Sequence, residues 1–298
     1  MNSKVAFDRW SHVQYHTWPF QMYKQYNEEL SNFVWSDFFA HKYTYKQLGQ
    51  QAAVNWETPM HSFGLFPEHV WNFETLKDWS IALNEQQNFL HLSSVMAMNS
   101  NFEAFLEAII SLSIESNPGL LLGASRSIDG VSLLKNGTFN RLVYKDKVEQ
   151  CTRGMWGKRK KMIKSIFGCY PKELDKYESD LEQIRILRNR VGHAFGKDIA
   201  LVRNFDRLEK LPSERVSLER LRKWLGIMYD VAMSMDSFLL DHSIGEYHVI
   251  LAYHRNKHRW DSKNLGVQVK SLKKFYGGLD QQIGKVFCKG LIEYYKNL

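Results

Sequence analysis

Arg188-Asn189-Arg190-Val191-Gly192-His193 lies near the end of a segment, Lys172 to Phe195, whose spacing predicts one helix. Leu174, Tyr177, Leu181, Ile184 and Val191 recur at the intervals that line a single helical face. Arg188 falls in that seam, between Ile184 and Val191, where an apolar residue is expected. A guanidinium keeps its proton and is costly to bury alone, so an arginine there calls for an anion or a closely paired carboxylate. Pro171 suits the helix start, where a missing N–H is harmless, and Gly196 suits the cap beyond its end.

Working outward, the helical phase sets a constraint. Asn189 and His193 are four apart and share a face, so the amide can reach toward the imidazole. Arg188 and His193 are five apart, which places them roughly 140° from one another on an ideal helix. Two arrangements satisfy a common site: the helix unwinds at Gly192 before His193, or two such helices meet across a dimer axis.

The flanks are helical too. Phe73 to Ser116 carries Leu92, Val95, Met96, Phe102, Leu106, Ile109 and Ile110 at helical spacing, with a break expected near Asn84 and a firm stop at Asn117-Pro118-Gly119. Val216 to His242 repeats the pattern at Leu218, Leu221, Leu225, Met228, Ala232, Met235 and Leu239, enough to close a bundle around the motif helix.

An arginine, a polar neighbour, three further residues and a histidine, placed late in an amphipathic helix between two long helices, resemble the motif of the HEPN superfamily. Arg188, Asn189 and His193 match its three requirements, and the likeness covers roughly residues 86–245. It implies an all-α, HEPN-like antiparallel helical bundle there; outside the likeness, residues 1–85 read as an aromatic-rich N-terminal helical extension and 246–298 as a C-terminal helical one. It also implies an endoribonuclease that needs no metal or other cofactor and works as a homodimer with facing motifs. The products carry 2′,3′-cyclic phosphates. Many members act as toxins in toxin–antitoxin pairs, as abortive-infection or other antiviral defence effectors, or in RNA processing, so an antitoxin or sensor protein is an expected partner. Members often carry an acid on the first long helix that steadies the arginine, and Glu103 and Glu107 are the candidates; an exposed, solvated helix face is the alternative for either. A subgroup has tyrosine two residues after the histidine, where this chain has Phe195.

Chemistry gives the same residues roles. The imidazole is the motif's group that exchanges protons near neutral pH, so His193 is the candidate acid or base. Arg188 supplies a fixed positive charge for a crowded phosphorane, and Asn189 can orient the ring or hold a phosphate oxygen. Ahead of the motif helix, Trp156 to Lys164 holds five basic residues in nine. Lys158, Arg159, Lys160, Lys161 and Lys164, together with Arg190, are therefore candidates for RNA phosphate contact, with a solvated face as the alternative.

Composition narrows the class. Forty Lys+Arg against 32 Asp+Glu leave a net charge of +8, which favours a polyanionic partner or an acidic protein surface. Hydrophobic residues make up 44% of 298, enough for a substantial core. The aromatics of residues 1–85 can pack in that core or stack on bases, core packing being favoured. Cys151, Cys169 and Cys288 show neither metal-ligand spacing nor an even count, pointing to a reducing compartment. No run approaches the ~20 apolar residues of a membrane span, so a soluble cytoplasmic protein is expected.

Between the helical tracts, Val131 to Tyr144 reads as a β-hairpin turning at Asn136-Gly137, or as an irregular loop. Near the C-terminus, His254 and His258 are four apart, but their basic neighbours and the lack of a third ligand argue against a metal. Two non-catalytic readings stay open: a HEPN-like helical interaction module, with Arg188 in a structural ion pair, and a sequence-tolerant RNA-binding protein.

Overall fold

The computed structural model describes residues 7–64, 73–138, 140, 143–194, 213–260, 264–277 and 283–298. Twelve α-helices and no strand occur among the described residues, so the chain is all-α. They are α1 (Trp18–Gln50), α2 (Pro59–Phe63), α3 (Leu76–Ser116), α4 (Gly130–Lys135), α5 (Lys145–Thr152) and α6 (Trp156–Phe167). There follow α7 (Glu173–Lys176), α8 (Glu178–Ala194), α9 (Leu218–Leu239), α10 (Tyr247–Asn256), α11 (Leu265–Gly277) and α12 (Lys285–Asn297). None of these helices is long and apolar enough to cross a membrane.

Three local differences from the sequence reading have identifiable causes. The first is that α3 runs its 41 residues without a break. Asn84 stays inside the helix by donating its side-chain amide to the Ser80 carbonyl at 2.9 Å. The helix stops where Asn117 turns its side chain onto the next loop, accepting from the Arg126 N–H at 2.7 Å and donating to Ser125 at 2.9 Å.

The second difference corrects the hairpin: Val131 to Lys135 is helical. The Asp129 carboxylate caps α4 by accepting the Val131 N–H at 3.0 Å. The Asn-Gly pair that suggested a hairpin turn ends this helix instead. Gly137, at φ +64°, donates to Leu134 O at 3.3 Å and Thr138 donates to Leu133 O at 3.1 Å, the paired bonds of a Schellman cap. Phe139, Arg141 and Leu142 lie outside the described residues.

The third is that the motif helix begins later than expected. Tyr177, at φ −109° and ψ 8°, separates the short α7 from α8, and its hydroxyl donates to Asp230 at 3.0 Å. Phe195, Gly196 and the charged connector as far as Pro212 lie outside the described residues.

The chain groups into two compact units, each drawn from separated segments. One comprises Met1–Tyr23, Phe102–Glu178 and Tyr229–Leu298. At its centre Phe20, Tyr23, Phe102 and Phe105 meet in tilted and edge-on ring contacts, joined by Tyr229 and Trp156. Of the N-terminal aromatics of this unit, Phe20 and Tyr23 are thus buried in its core, whereas Tyr15 is exposed.

An N-terminal strap is fastened to the same unit by a buried arginine. Arg9, 3% exposed, donates to Asp129 at 3.2 Å, to Ile244 O at 2.8 Å, and to the carbonyl and hydroxyl of Ser116 at 3.1 and 2.7 Å. The strap lies so close to Gly245 that a Cβ there would stand 2.5 Å from the Arg9 carbonyl oxygen, and φ is +50° besides. Only glycine accommodates both demands. Glu246 returns the contact: its N–H donates to Arg9 O at 3.1 Å, and its carboxylate accepts the Val13 N–H at 2.6 Å. Burial pushes that carboxyl up to about 7, against the Val13 bond and the nearby His12 and Arg9.

The other unit comprises Lys24–Asn101 and Ser179–Met228. Its core takes Leu30 and Val34 from α1, Leu92, Val95 and Met98 from α3, Leu181, Ile184, Leu187 and Val191 from α8, and Leu221 and Trp224 from α9. Polar ties fix the approach to α9. Asn88 accepts from Val216 N at 3.1 Å and donates to Glu214 O at 3.0 Å, and the His91 ring bonds Val216 O at 2.7 Å. Lys223 pairs with Asp180 at 2.8 Å, linking α9 to α8.

Candidate active site

α8 presents the motif from one continuous α-helix that runs through Gly192 and His193 to Ala194. The apolar stripe is Leu181, Ile184, Leu187 and Val191, all buried. Leu187 thus occupies the core position that sequence spacing had assigned to Arg188. Arg188 sits at the edge of the stripe, half-buried, and its Nη1 donates to Asn189 Oδ1 at 3.2 Å. The amide therefore serves the guanidinium, rather than the imidazole that the sequence reading gave it.

His193 is exposed in the last turn of α8. Gly192 does not unwind the helix; a Cβ there would lie 3.5 Å from the Met96 Cε of α3, in ordinary van der Waals contact. Of the two arrangements open at the outset, unwinding at Gly192 is thus excluded. Arg188 and His193 stay on different faces of the same helix, roughly 140° apart by helical phase. The exposed face that carries His193 also carries Arg190, which donates to Glu214 at 3.0 Å.

The supporting acids and the basic run belong to the other unit. Glu103 accepts from Arg159 Nη2 at 2.9 Å. Glu107 is exposed and lines a cleft of about 330 Å³ with Tyr144, Lys145 and Arg153. The five basic residues divide by the phase of α6. Arg159 is 1% exposed, stacks its guanidinium over Trp156 at 4.6 Å from the ring centroid, and donates to Gly154 O at 3.0 Å. Lys160 is buried between Asp175 at 2.6 Å and Glu178 at 2.5 Å. Lys158, Lys161 and Lys164 are exposed. Of the five basic residues these three lysines alone face solvent, whereas Arg159 and Lys160, read from the sequence as phosphate contacts, are buried in ion pairs that hold the fold. The missed signal was acidic: Asp175 in α7 and Glu178 at the start of α8.

Comparison with protein-family models, curated proteins and solved structures returned no match. Elsewhere, His254 bonds the Tyr295 hydroxyl at 2.6 Å, and burial with Lys257 and Arg255 nearby holds its ring below the ordinary imidazole range.

Proposed function

We propose that the chain is an endoribonuclease that cleaves RNA by internal transesterification, using Arg188, Asn189 and His193 from two copies of α8. The observation that carries this reading is a half-buried arginine held by its asparagine neighbour, followed one turn later by an exposed histidine at the helix end. The asparagine bond restricts the guanidinium's rotamers, and a cation held in place is the kind of group that stabilises a pentavalent phosphate.

In the proposed reaction a base takes the proton of a ribose 2′-OH, and the oxygen attacks the adjacent phosphorus. The bond to the 5′ oxygen breaks, an acid protonates that oxygen, and a 2′,3′-cyclic phosphate remains. Acid and base must be separate groups, whereas one chain's motif offers one imidazole. The diverging faces of Arg188 and His193 on an unbroken helix add a geometric reason for pairing. Two chains related by a two-fold axis supply two histidines, and each arginine faces the partner's ring across a shared groove. A role in toxin–antitoxin or antiviral defence systems is the biological setting that the motif's resemblance suggests.

The test is incubation of purified protein with single-stranded RNA in EDTA, followed by end-group analysis. Cleavage leaving cyclic phosphates, lost in His193→Ala, is the expected result. Equal survival of RNA with both proteins would leave the non-catalytic HEPN-like module as the better reading.

A further inference from the structure

Within the unit that carries the motif, a groove of about 800 Å³ is lined by α1, α3 and residues 215–219, which lead into and open α9. We infer that this groove receives an unpaired nucleotide of single-stranded RNA, its base against Phe38 and Tyr45 and its phosphate at the Lys42 and Arg215 rim. The inference rests on the RNA reading above and adds where the strand is held.

The lining is unlike that of a gap between packed helices. Phe38, Lys42 and Tyr45 are spaced by four and three on α1, so they share one face. Tyr45 is 39% exposed, and its hydroxyl is bonded to Ser80 at 2.8 Å, which fixes the ring plane. Lys42 lies 5.6 Å from the Phe38 ring centroid, a cation already next to an aromatic face. Across the groove α3 offers the amide of Gln87, a group that reads the edge of a base.

The floor is preorganised. His41 bonds its own helix at Asp37 O at 3.1 Å, and Asn88 and His91 are tied to the backbone around Val216. A ligand then meets walls whose ordering is already complete.

The charges select among ligands. Lys42 and Arg215 are balanced by Glu85 and Glu219, and Arg215 is ion-paired with Glu85. A polyphosphate gains little from such a balance. A single nucleotide fits it better, with stacking supplying affinity, one phosphate taking a rim cation, and a carboxylate accepting from an exocyclic amino group.

Position ties the groove to the motif. The Asn88 amide holds the Glu214 carbonyl, and the Glu214 carboxylate holds Arg190 on the His193 face of α8. Along α3, Asn88 lies eight residues before Met96, the residue facing Gly192, which is about 12 Å at 1.5 Å per residue.

The experiment uses the full chain carrying His193→Ala, so that RNA stays intact, and a short fluorescent single-stranded RNA read by anisotropy. Tyr45→Ala with Lys42→Ala is expected to weaken binding about tenfold, equal to about 1.4 kcal/mol. Tyr45→Phe, which keeps the ring, restores the Tyr45 share of that loss. RNA carrying a photoreactive uridine is expected to cross-link to the peptide containing Phe38 and Tyr45. Unchanged affinity in the double variant, or cross-links confined elsewhere, overturns the groove assignment. Cleavage by the otherwise unaltered chain is scored separately, so the groove can fail while the nuclease reading survives. No RNA binding by any form sinks both.

Discussion

The guanidinium of Arg188 donates to Asn189 Oδ1 at 3.2 Å, so two adjacent residues of one helix form a single polar unit. In the proposed reaction that pairing assigns Asn189 to positioning the charge. Asn189→Asp replaces a neutral acceptor by an anion beside the guanidinium. The melting temperature should hold, while RNA cleavage falls by about 100-fold, the scale of losing one charge-stabilising group. Cleavage at the unaltered rate by Asn189→Asp would show that the arginine's net charge is not used.

The two classes of basic residue on α6 should separate cleanly. Arg159→Ala removes a buried cation from Glu103 and from the Trp156 face, and should cost about 3 kcal/mol in chemical denaturation. Lys158→Ala, Lys161→Ala and Lys164→Ala should each change stability by less than about 0.5 kcal/mol. If these lysines contact phosphate, each substitution lowers the salt dependence of RNA binding by about one unit of slope. A stability loss in the lysine variants as large as that of Arg159→Ala would refute the division.

Glu246 gives a pH dependence with a definite sign. Its folded value, about 7, exceeds the ordinary 4.5 because burial opposes ionisation. The folded chain therefore holds the proton more tightly between those values, and stability falls as pH rises from about 4.5 to 7. At about pH 8 the deficit is on the order of 3 kcal/mol, from 1.36 kcal/mol per unit. Glu246→Gln keeps an acceptor for the Val13 N–H without the charge. It should melt higher than the parent at about pH 8 and lose that advantage near pH 4.5. A constant offset between the two across the range would contradict the assignment.

Gly192 offers a check on the continuity of α8. Because the helix continues through it and Met96 can accept a methyl group, Gly192→Ala should stabilise by up to about 1 kcal/mol through helix propensity. RNA cleavage should be retained. A loss of both fold and activity would mean that this position needs a backbone freedom the continuous helix does not use.

The long helices were legible because their apolar residues recur at helical spacing over many turns, and Phe102, Leu106, Ile109 and Ile110 are buried as that spacing demanded. The motif itself was legible as a pattern, yet its phase was misjudged by one position. Leu187 and Arg188 are neighbours, and a count of alternate threes and fours passes through either. Val131 to Lys135 was misread because a cap and a hairpin turn use the same Asn-Gly dipeptide; Asp129 capping the next turn decides for the helix. Burial of Arg159 and Lys160 was not readable from a run of like charges, since their partners Glu103, Asp175 and Glu178 sit on other helices. The groove at Phe38 and Tyr45 was invisible for the same reason, being assembled from three separated segments.

The Arg9 anchorage bears on how the chain reaches its final form. The strap's receptor is completed by Ile244, 235 residues further along, and by Ser116, 107 residues further along. On a ribosome, residue 9 therefore emerges long before its socket has been made. Such long-range closure slows assembly and leaves the leading segment unprotected in the meantime. Maturation of this half of the molecule is thus gated by synthesis of its distal helices, so a prematurely terminated product would lack a properly seated leading end.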